Sequence, residues 1–408
     1  MKKGFLSEYF EGVAVKRLSA VEADTGSSNQ HEFNGVGDMK DLLGSGRQSF
    51  PARFAYLDED EDDTLTSECL LTWYDAREAH PTRSEYRLYF PTTVVMERAA
   101  AGDLMVIGRR PDGTLQVIIA MAGSTAENQL KWLFGMPVQI ETSFKLRAFE
   151  NDSDVEVNFA ARFILDELGV EVEEADTDRL DSLVEKFQGV FPSTAIFSAH
   201  ARDTLPEVDP REDPDAALLA WMEQEEKLFR RLENQVVAER LKQGFRVEDS
   251  ADVDTFISYS LSVQNRRKSR AGYALEHHLN EIFMENDVRY TRQAVTENNA
   301  KPDFLFPGTA EYHDETFPTA RLSMLGVKTT CKDRWRQILS EAKRIKQKHL
   351  FTLEPAISVS QTMEMDSHQV QLILPSGLHN TYTAEQQVWM LNLQEFIVLV
   401  KKRQSSLH

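Results

Sequence analysis

The spacing of apolar residues changes character near residue 150, and that change constrains the fold of this chain more than any other feature. Before it, short apolar runs read as strands, at Glu85–Phe90, Leu104–Gly108, Gln116–Ala122 and Pro137–Leu146. Pro111-Asp112-Gly113 supplies a turn between two of them. After it, helical spacing takes over from about 157 to 190 and again from 216 to 242. A chain of 408 residues also exceeds one ordinary core. The expected organisation is a mainly β domain over 1–150, a hinge and helical connector over 151–215, and an α/β domain over 216–408. Polar Glu150-Asn151-Asp152 to Asp154 marks the first hinge. Pro206, Pro210 and Pro214 stiffen the acidic stretch 203–215, which is either a second hinge or a loop of the C-terminal domain.

The region 262–375 is the most informative. Ala271, Ala274, Leu275, Leu279, Ile282 and Phe283 form one helical stripe. Lys301–Phe306 and Leu322–Thr330 read as strands. Asp333–Lys348 reads as a helix burying Trp335, Ile338, Leu339, Ala342 and Ile345. His349–Leu353 and Val370–Leu374 read as two more strands. Helix, strands, helix, strands is a mixed α/β core.

The formal charge of −20 argues at first sight against a polyanionic partner. The charge is uneven, however. Acids concentrate at 58–63 and 171–178, and bases at Arg266-Arg267-Lys268-Ser269-Arg270, Lys328–Arg336 and Lys343–Lys348. Phosphate contact depends on such local footprints and not on the whole-chain sum. No apolar run of about 18 residues is present, so no membrane span is expected. The start of the chain, with Glu8 and Glu11 close behind Met1, has no secretory character. Cys69 and Cys331 stand far apart, outside any metal-ligand spacing, which fits a reducing cytoplasm.

Two segments carry chemistry. Lys301-Pro302-Asp303-Phe304-Leu305-Phe306 places an acid in an apolar strand, where it is costly unless paired or ligating a metal. Gly326-Val327-Lys328-Thr329-Thr330 places a lysine in another. Carboxylates for magnesium and a cation beside the attacking water are what phosphodiester hydrolysis needs, and together they outline a PD-(D/E)xK nuclease motif. The second acid of that motif normally sits two residues before the lysine, where this chain has Gly326. Glu341, on the following helix, is the natural substitute, and Glu276, bordering the preceding helical stripe, is a further candidate. Each residue alone has a plainer reading. Pro-Asp marks a turn, a lysine at a strand end is solvated, and Glu341 pairs with Lys343 or Lys346. Only their order and placement together favour the nuclease.

Ser262–Gly272, Lys301–Pro307 and Val327–Leu339 closely resemble the EcoRII-type restriction endonucleases, as do Tyr312-His313-Asp314 and His349–Leu353. The resemblance is strong from about Phe191 to Ser376. It is weaker but traceable earlier, in Lys16-Arg17-Leu18-Ser19, Asp24-Thr25-Gly26, His31 and Thr82–Arg87.

The resemblance implies a multidomain chain, with an N-terminal B3-like β pseudobarrel acting as effector domain and a restriction-endonuclease-like α/β core. Asp303, Lys328 and Glu341 would be the catalytic triad, with Glu276 and Tyr312 beside it. Asp303 and Glu341 would bind Mg2+, while Lys328 orients the attacking water. Lys332, Asp333 and Arg334 would read a G·C-flanked pseudo-palindrome such as CCWGG in the major groove; their plain alternative is a helix cap with solvated cations. The Arg266, Arg267, Lys268 and Arg270 cluster would face phosphates.

A homodimer would cut double-stranded DNA, one strand per subunit, leaving 5′-phosphates, in a bacterial cytoplasm that also holds a cognate methyltransferase. Arg83, Glu85 and Arg87, alternating on one strand face with His31 nearby, would bind a further DNA copy in the effector domain, which shields the nuclease until then. The pattern departs from the family at Pro81 and Tyr86, where lysines are expected. It departs again at Glu223, Glu225 and Glu226, where groups that hold flipped central bases are expected. Two other readings remain at this point: a DNA-binding regulator on an inactive nuclease core, and a nuclease dependent on base modification.

Overall fold

In the computed structural model, residues 4–24, 31–58, 64–137, 139–149, 155–172, 187, 190–247 and 250–405 are described. The side chains of Lys268, Lys332 and Asp333 lie outside that description. So do most of the acidic runs at 58–63 and 171–178 and the polar hinge at 150–154. The chain forms two units, Met1–Val172 with Pro355–Gln361, and Glu173–Glu354 with Thr362–His408.

The first unit is built on an eight-stranded sheet in the order β2-β5-β4-β3-β7-β6-β1-β8. Its strands are β1 (Gly12–Arg17), β2 (Glu32–Asn34), β3 (Gln48–Leu57), β4 (Leu65–Asp75), β5 (Tyr86–Tyr89), β6 (Leu104–Arg109), β7 (Leu115–Ala120) and β8 (Lys145–Ala148). All neighbours are antiparallel except β3 and β7. Side chains alternate across a strand. Ala14 therefore joins one buried cluster with Trp73, Phe54 and Ile107, while Val13 and Val15 join another with Phe10, Phe134 and Ile164. Burial on both faces explains why β6 and β7 read as continuous apolar runs.

The turn between β6 and β7 forms as expected: Gly113 takes φ +83°, and its amide donates to the Arg110 carbonyl at 2.9 Å. One expectation fails. Pro137–Leu146 is mostly irregular, with a strand only from Lys145, because Pro137 has no amide to donate and the Glu141 carbonyl is taken by the Arg17 amide. The sequence pattern does not mark the two longest strands, β3 and β4; β3 carries Pro51 within its run, and the stretch 58–63 between them in sequence is wholly acidic.

The second unit holds a five-stranded sheet, β11-β12-β13-β14-β15. Here β11 is Thr291–Arg292, β12 Phe304–Phe306, β13 Ser323–Lys328, β14 Lys348–Thr352 and β15 Val370–Ile373; a small hairpin of β9 (Arg246–Val247) and β10 (Ser250–Ala251) precedes them. β12 runs antiparallel to β13, and β13, β14 and β15 are mutually parallel. The expected long helices are present as Pro214–Gln243 and Val253–Glu285. Phe283 packs edge-on against Phe304 and Phe306 at centroid distances of 5.1 and 5.4 Å, which seats the second helix on the sheet. The stretch 203–215 lies inside this unit. Its end is pinned by buried Asp215, whose carboxylate accepts the amides of Ser376, Leu393 and Gln394 at 2.9–3.0 Å.

Asp333–Lys348 is not an α-helix. A 3-10 segment, Lys332–Ser340, gives way at Glu341 to extended backbone, φ −85° and ψ 148°. The apolar residues are still buried, at Trp335, Ile338, Ala342 and Ile345, with Leu339 half-buried. An apolar stripe with a spacing of three to four residues does not separate an α-helix from a 3-10 segment followed by tight turns. Among the described residues no helix is long and apolar enough to cross a membrane.

Candidate active site

Pro302 cannot donate a ladder hydrogen bond, so β12 starts only at Phe304 and Asp303 stands just before the strand, not inside it. Its carboxylate Oδ2 accepts the Val327 amide of β13 at 2.7 Å and lies 3.9 Å from the Lys328 ammonium. Strand pairing thus brings together two residues that are 25 positions apart in the chain. Burial pushes the Asp303 carboxyl above its ordinary range; Lys328 and the Val327 amide oppose this, and Glu276 adds to it.

Gly326 stands where the motif expects its second acid. A Cβ built there would meet Ile338 Cγ2 at 2.6 Å, so the 3-10 segment lies directly on the strand. A side chain on that face at residue 326 would have to displace Ile338, and Glu341 stands where the covering segment ends. Burial pushes its carboxyl up to about 7, Asp303 pushes the same way, and Lys328 and Lys348 oppose. Its Oε2 is buried with no hydrogen-bond partner.

A buried carboxylate oxygen with no partner is unfavourable unless something else binds it. Together with Asp303 it offers hard oxygen donors of the kind Mg2+ takes while keeping several waters. The residues therefore fit a divalent cation. Among the described residues no group of three or more His, Cys, Asp or Glu side chains forms a complete protein-only metal site.

The other sequence candidates fall as follows. Glu276 adds to the charge around Asp303 but is paired with Arg292 at 3.0 Å. Tyr312 is buried, and its hydroxyl donates to Glu297, 2.7 Å from both carboxylate oxygens, so it faces the turn after Glu341 and not Asp303. Arg334 is exposed on the 3-10 segment that also carries Lys332 and Asp333.

The cluster at 266–270 is not a free basic footprint. Arg267 pairs with buried Glu233, and buried Arg270 pairs with Glu226 and lies 3.6 Å from Glu225. Arg266 lies over the Phe191 ring at 4.2 Å. The cluster at 343–348 is also partly internal, since Lys348 is buried and the Arg344 guanidinium donates to the carbonyls of Tyr312, Asp314 and Phe317.

In the first unit, β5 begins at Tyr86, so Arg83 and Glu85 precede it and do not alternate with Arg87 along a strand. Glu85 bonds both Arg77 and Arg87, and Arg87 also bonds Glu32. The exposed Arg83 lies before this network, and the His31 ring sits edge-on to Phe90.

Three residues around Asp303 and Glu341 were missed from the sequence. Arg292 pairs with Glu276. Glu297, in a polar turn with no motif, accepts Tyr312 and the Lys343 amide. Lys348 looked like one more surface lysine. Burial lowers its pKa, while Glu341 and Glu297 act in the opposite direction.

The chain is similar to known proteins. The EcoRII C-terminal family matches residues 229–397. The type II restriction enzyme EcoRII of Escherichia coli is 35% identical over 398 residues, covering 94% of this chain and 93% of its own. Among solved structures, a restriction endonuclease PspGI–substrate DNA complex aligns over 57% of this chain and 100% of its own, at 13% identity and a TM-score of 0.45. Metal-depleted Ecl18kI in complex with uncleaved, modified DNA aligns over 56% and 84%, at 16% identity and a TM-score of 0.43.

Proposed function

The chain belongs to the EcoRII family of type II restriction enzymes, a site-specific deoxyribonuclease by that membership, and from this premise we propose that Asp303, Glu341 and Lys328 form its hydrolytic centre, cutting both strands of DNA at a short G·C-flanked pseudo-palindrome such as CCWGG. One observation carries the assignment. Ile338 covers the strand at Gly326, and the buried Oε2 of Glu341, just past the covering segment, has no hydrogen-bond partner.

Asp303 and Glu341 would hold the cation, taken as Mg2+. When bound, it supplies Lewis-acid polarisation of the scissile phosphate and neutralises the two carboxylates. Lys328, within 4 Å of Asp303 at 3.9 Å, orients the attacking water and stabilises charge on the phosphate. Water attacks phosphorus, the 3′-oxygen leaves, and a 5′-phosphate remains. The 3-10 segment bearing Lys332, Asp333 and Arg334 begins four residues beyond Lys328. A reader of base edges placed there is coupled by a short stretch of chain to the cutting lysine.

A two-fold site calls for a homodimer with one hydrolytic centre per strand. The eight-stranded unit acts as the B3-like effector that binds a further copy of the site and restrains cleavage until it does so. A cognate methyltransferase would protect the host's own DNA in the same bacterial cytoplasm. The test is cleavage of a plasmid library of randomised short sites, with Mg2+ and with chelator, followed by sequencing of the ends. Discrete Mg2+-dependent cuts at one pseudo-palindrome support the assignment. Intact DNA across unmethylated, methylated and multi-site substrates would refute it.

A further inference from the structure

Glu341 sits on a turn whose main chain is unusually constrained. The next residue, Ala342, has φ +45°, a left-handed conformation that alanine rarely adopts. Such a conformation persists only where the surroundings over-determine it. On one side, the Thr296 hydroxyl accepts the Ala342 amide at 3.4 Å and Glu297 accepts the Lys343 amide at 3.1 Å. The Tyr312 hydroxyl accepts the Arg344 amide at 3.3 Å while donating to Glu297. On the other side lies Lys348, buried at the start of β14. Its ammonium donates to the carbonyls of Glu341, of Ala342 at 3.3 Å and of Ile345 at 3.2 Å.

An ammonium has three donors, and here all three serve one turn. A buried lysine is costly, and an apolar side chain of similar length would fill the same space without that cost. What an apolar side chain would not do is hold three carbonyls at fixed positions.

We propose that Lys348 is a positioning residue for the cleavage reaction, fixing the main chain of the Glu341 turn so that the unpartnered Glu341 carboxylate is presented to the divalent cation. This rests on the reading of Glu341 as a metal ligand. A ligand must be held in place by groups that are not themselves ligands, and looseness in that support weakens metal binding more than it weakens the fold. Lys348 touches no DNA and no reacting atom in this scheme. It acts through Glu341.

The test uses the full-length chain with the duplex identified by end sequencing, made non-cleavable at the scissile phosphate. Mn2+ binding is followed by electron paramagnetic resonance in the wild type, Lys348→Met, Lys348→Gln and Glu341→Gln, with melting temperature and metal-free DNA affinity measured alongside. Lys348→Met is expected to weaken Mn2+ binding at least tenfold and to raise the Mg2+ concentration for half-maximal cleavage by a similar factor. Its metal-free DNA affinity should stay within twofold of the wild type.

Mn2+ affinity equal to wild type in folded Lys348→Met overturns the proposal, because a purely structural lysine would change only the melting temperature. If Lys348→Met does not fold, Lys348→Gln decides: weakening of severalfold or more supports the positioning role, and no change overturns it. Glu341→Gln separates the two levels. If it binds Mn2+ as the wild type does, the ligand reading itself fails. If Glu341→Gln loses Mn2+ and Lys348→Met keeps it, only the positioning role fails.

Discussion

The carboxyl of Glu341, pushed up to about 7 by burial and by Asp303, makes the metal-free protein sensitive to pH in a specific direction. In the unfolded chain the group ionises at about 4.3. Between these values the folded state holds a proton that the unfolded state has released, so folding stability falls as pH rises from about 4.3 to 7 and is flat beyond. A difference of between two and three pH units, at about 1.4 kcal/mol each, sets a ceiling of roughly 3–4 kcal/mol. Partial exposure of the side chain reduces this to about 1–3 kcal/mol.

Asp303, also raised by burial, adds a loss of the same sign. Glu341→Gln removes the Glu341 contribution. In chelator, the variant is therefore expected to match the wild type near pH 4.5 and to be more stable at pH 8, by about 2–4 °C of melting temperature per kcal/mol for a unit of this size. Adding Mg2+ at pH 8 should raise the wild-type melting temperature, since a ligand that binds only the folded state stabilises it, and should raise that of Glu341→Gln much less. Calorimetric scans of both proteins from pH 4.5 to 8.5, with and without Mg2+, make the measurement. Parallel pH profiles for the two proteins in chelator would show that Glu341 is neither strained nor waiting for a cation, and would remove the main support for its role.

Lys328→Ala should abolish cleavage while leaving binding of the same duplex within a few-fold in Ca2+, by filter binding and end-labelled cleavage; residual cutting above a thousandth of wild type would remove Lys328 from the chemistry. Gly326→Ala should destabilise the protein by about 1–3 kcal/mol in urea melts, because its Cβ would meet Ile338 at 2.6 Å; a change under about 0.5 kcal/mol would mean the 3-10 segment shifts freely. A chain lacking residues 1–172 should cut single-site DNA faster than the full-length protein in a time course, and equal rates would make the first unit an accessory binder and not a restraint.

Much of this site was legible because it depends on chain order and local pattern. Asp303 after Pro302, and Lys328 at the end of an apolar run, could be read directly, and the pairing of β12 with β13 brings them together. The helical stripe ending at Phe283 was equally plain, since a 3.6-residue period over three turns has few alternatives. What could not be read was anything decided by the partner across a gap. The basic cluster at 266–270 looked like a phosphate footprint, but Glu233 and Glu226 on the neighbouring helix take up Arg267 and Arg270. Lys348 looked solvated, because nothing in a local sequence window indicates that three carbonyls converge on it. The pattern Trp335, Ile338, Ala342, Ile345 was correctly assigned as buried and wrongly assigned as an α-helix, because burial spacing does not specify which hydrogen-bond ladder the backbone uses.

That last error bears on the chemistry. Had Glu341 been one residue of a continuous α-helix, the intrahelical bonds alone would have fixed its backbone, and no outside support would be needed. The segment instead ends in a 3-10 turn at Ser340, pressed onto Gly326 by Ile338, and the chain leaves it through extended Glu341 and left-handed Ala342. A carboxylate moved off its strand onto such an exit loses the rigidity that a strand would have given it. Rigidity must then come from elsewhere, through Thr296, Glu297 and Tyr312 on one side and Lys348 on the other. The glycine at 326 and the buried lysine at 348 are in this sense two consequences of one packing choice. A chain with an acid at position 326 would have to withdraw the 3-10 segment, and with it the residues Lys332, Asp333 and Arg334 that the segment carries a short way beyond Lys328.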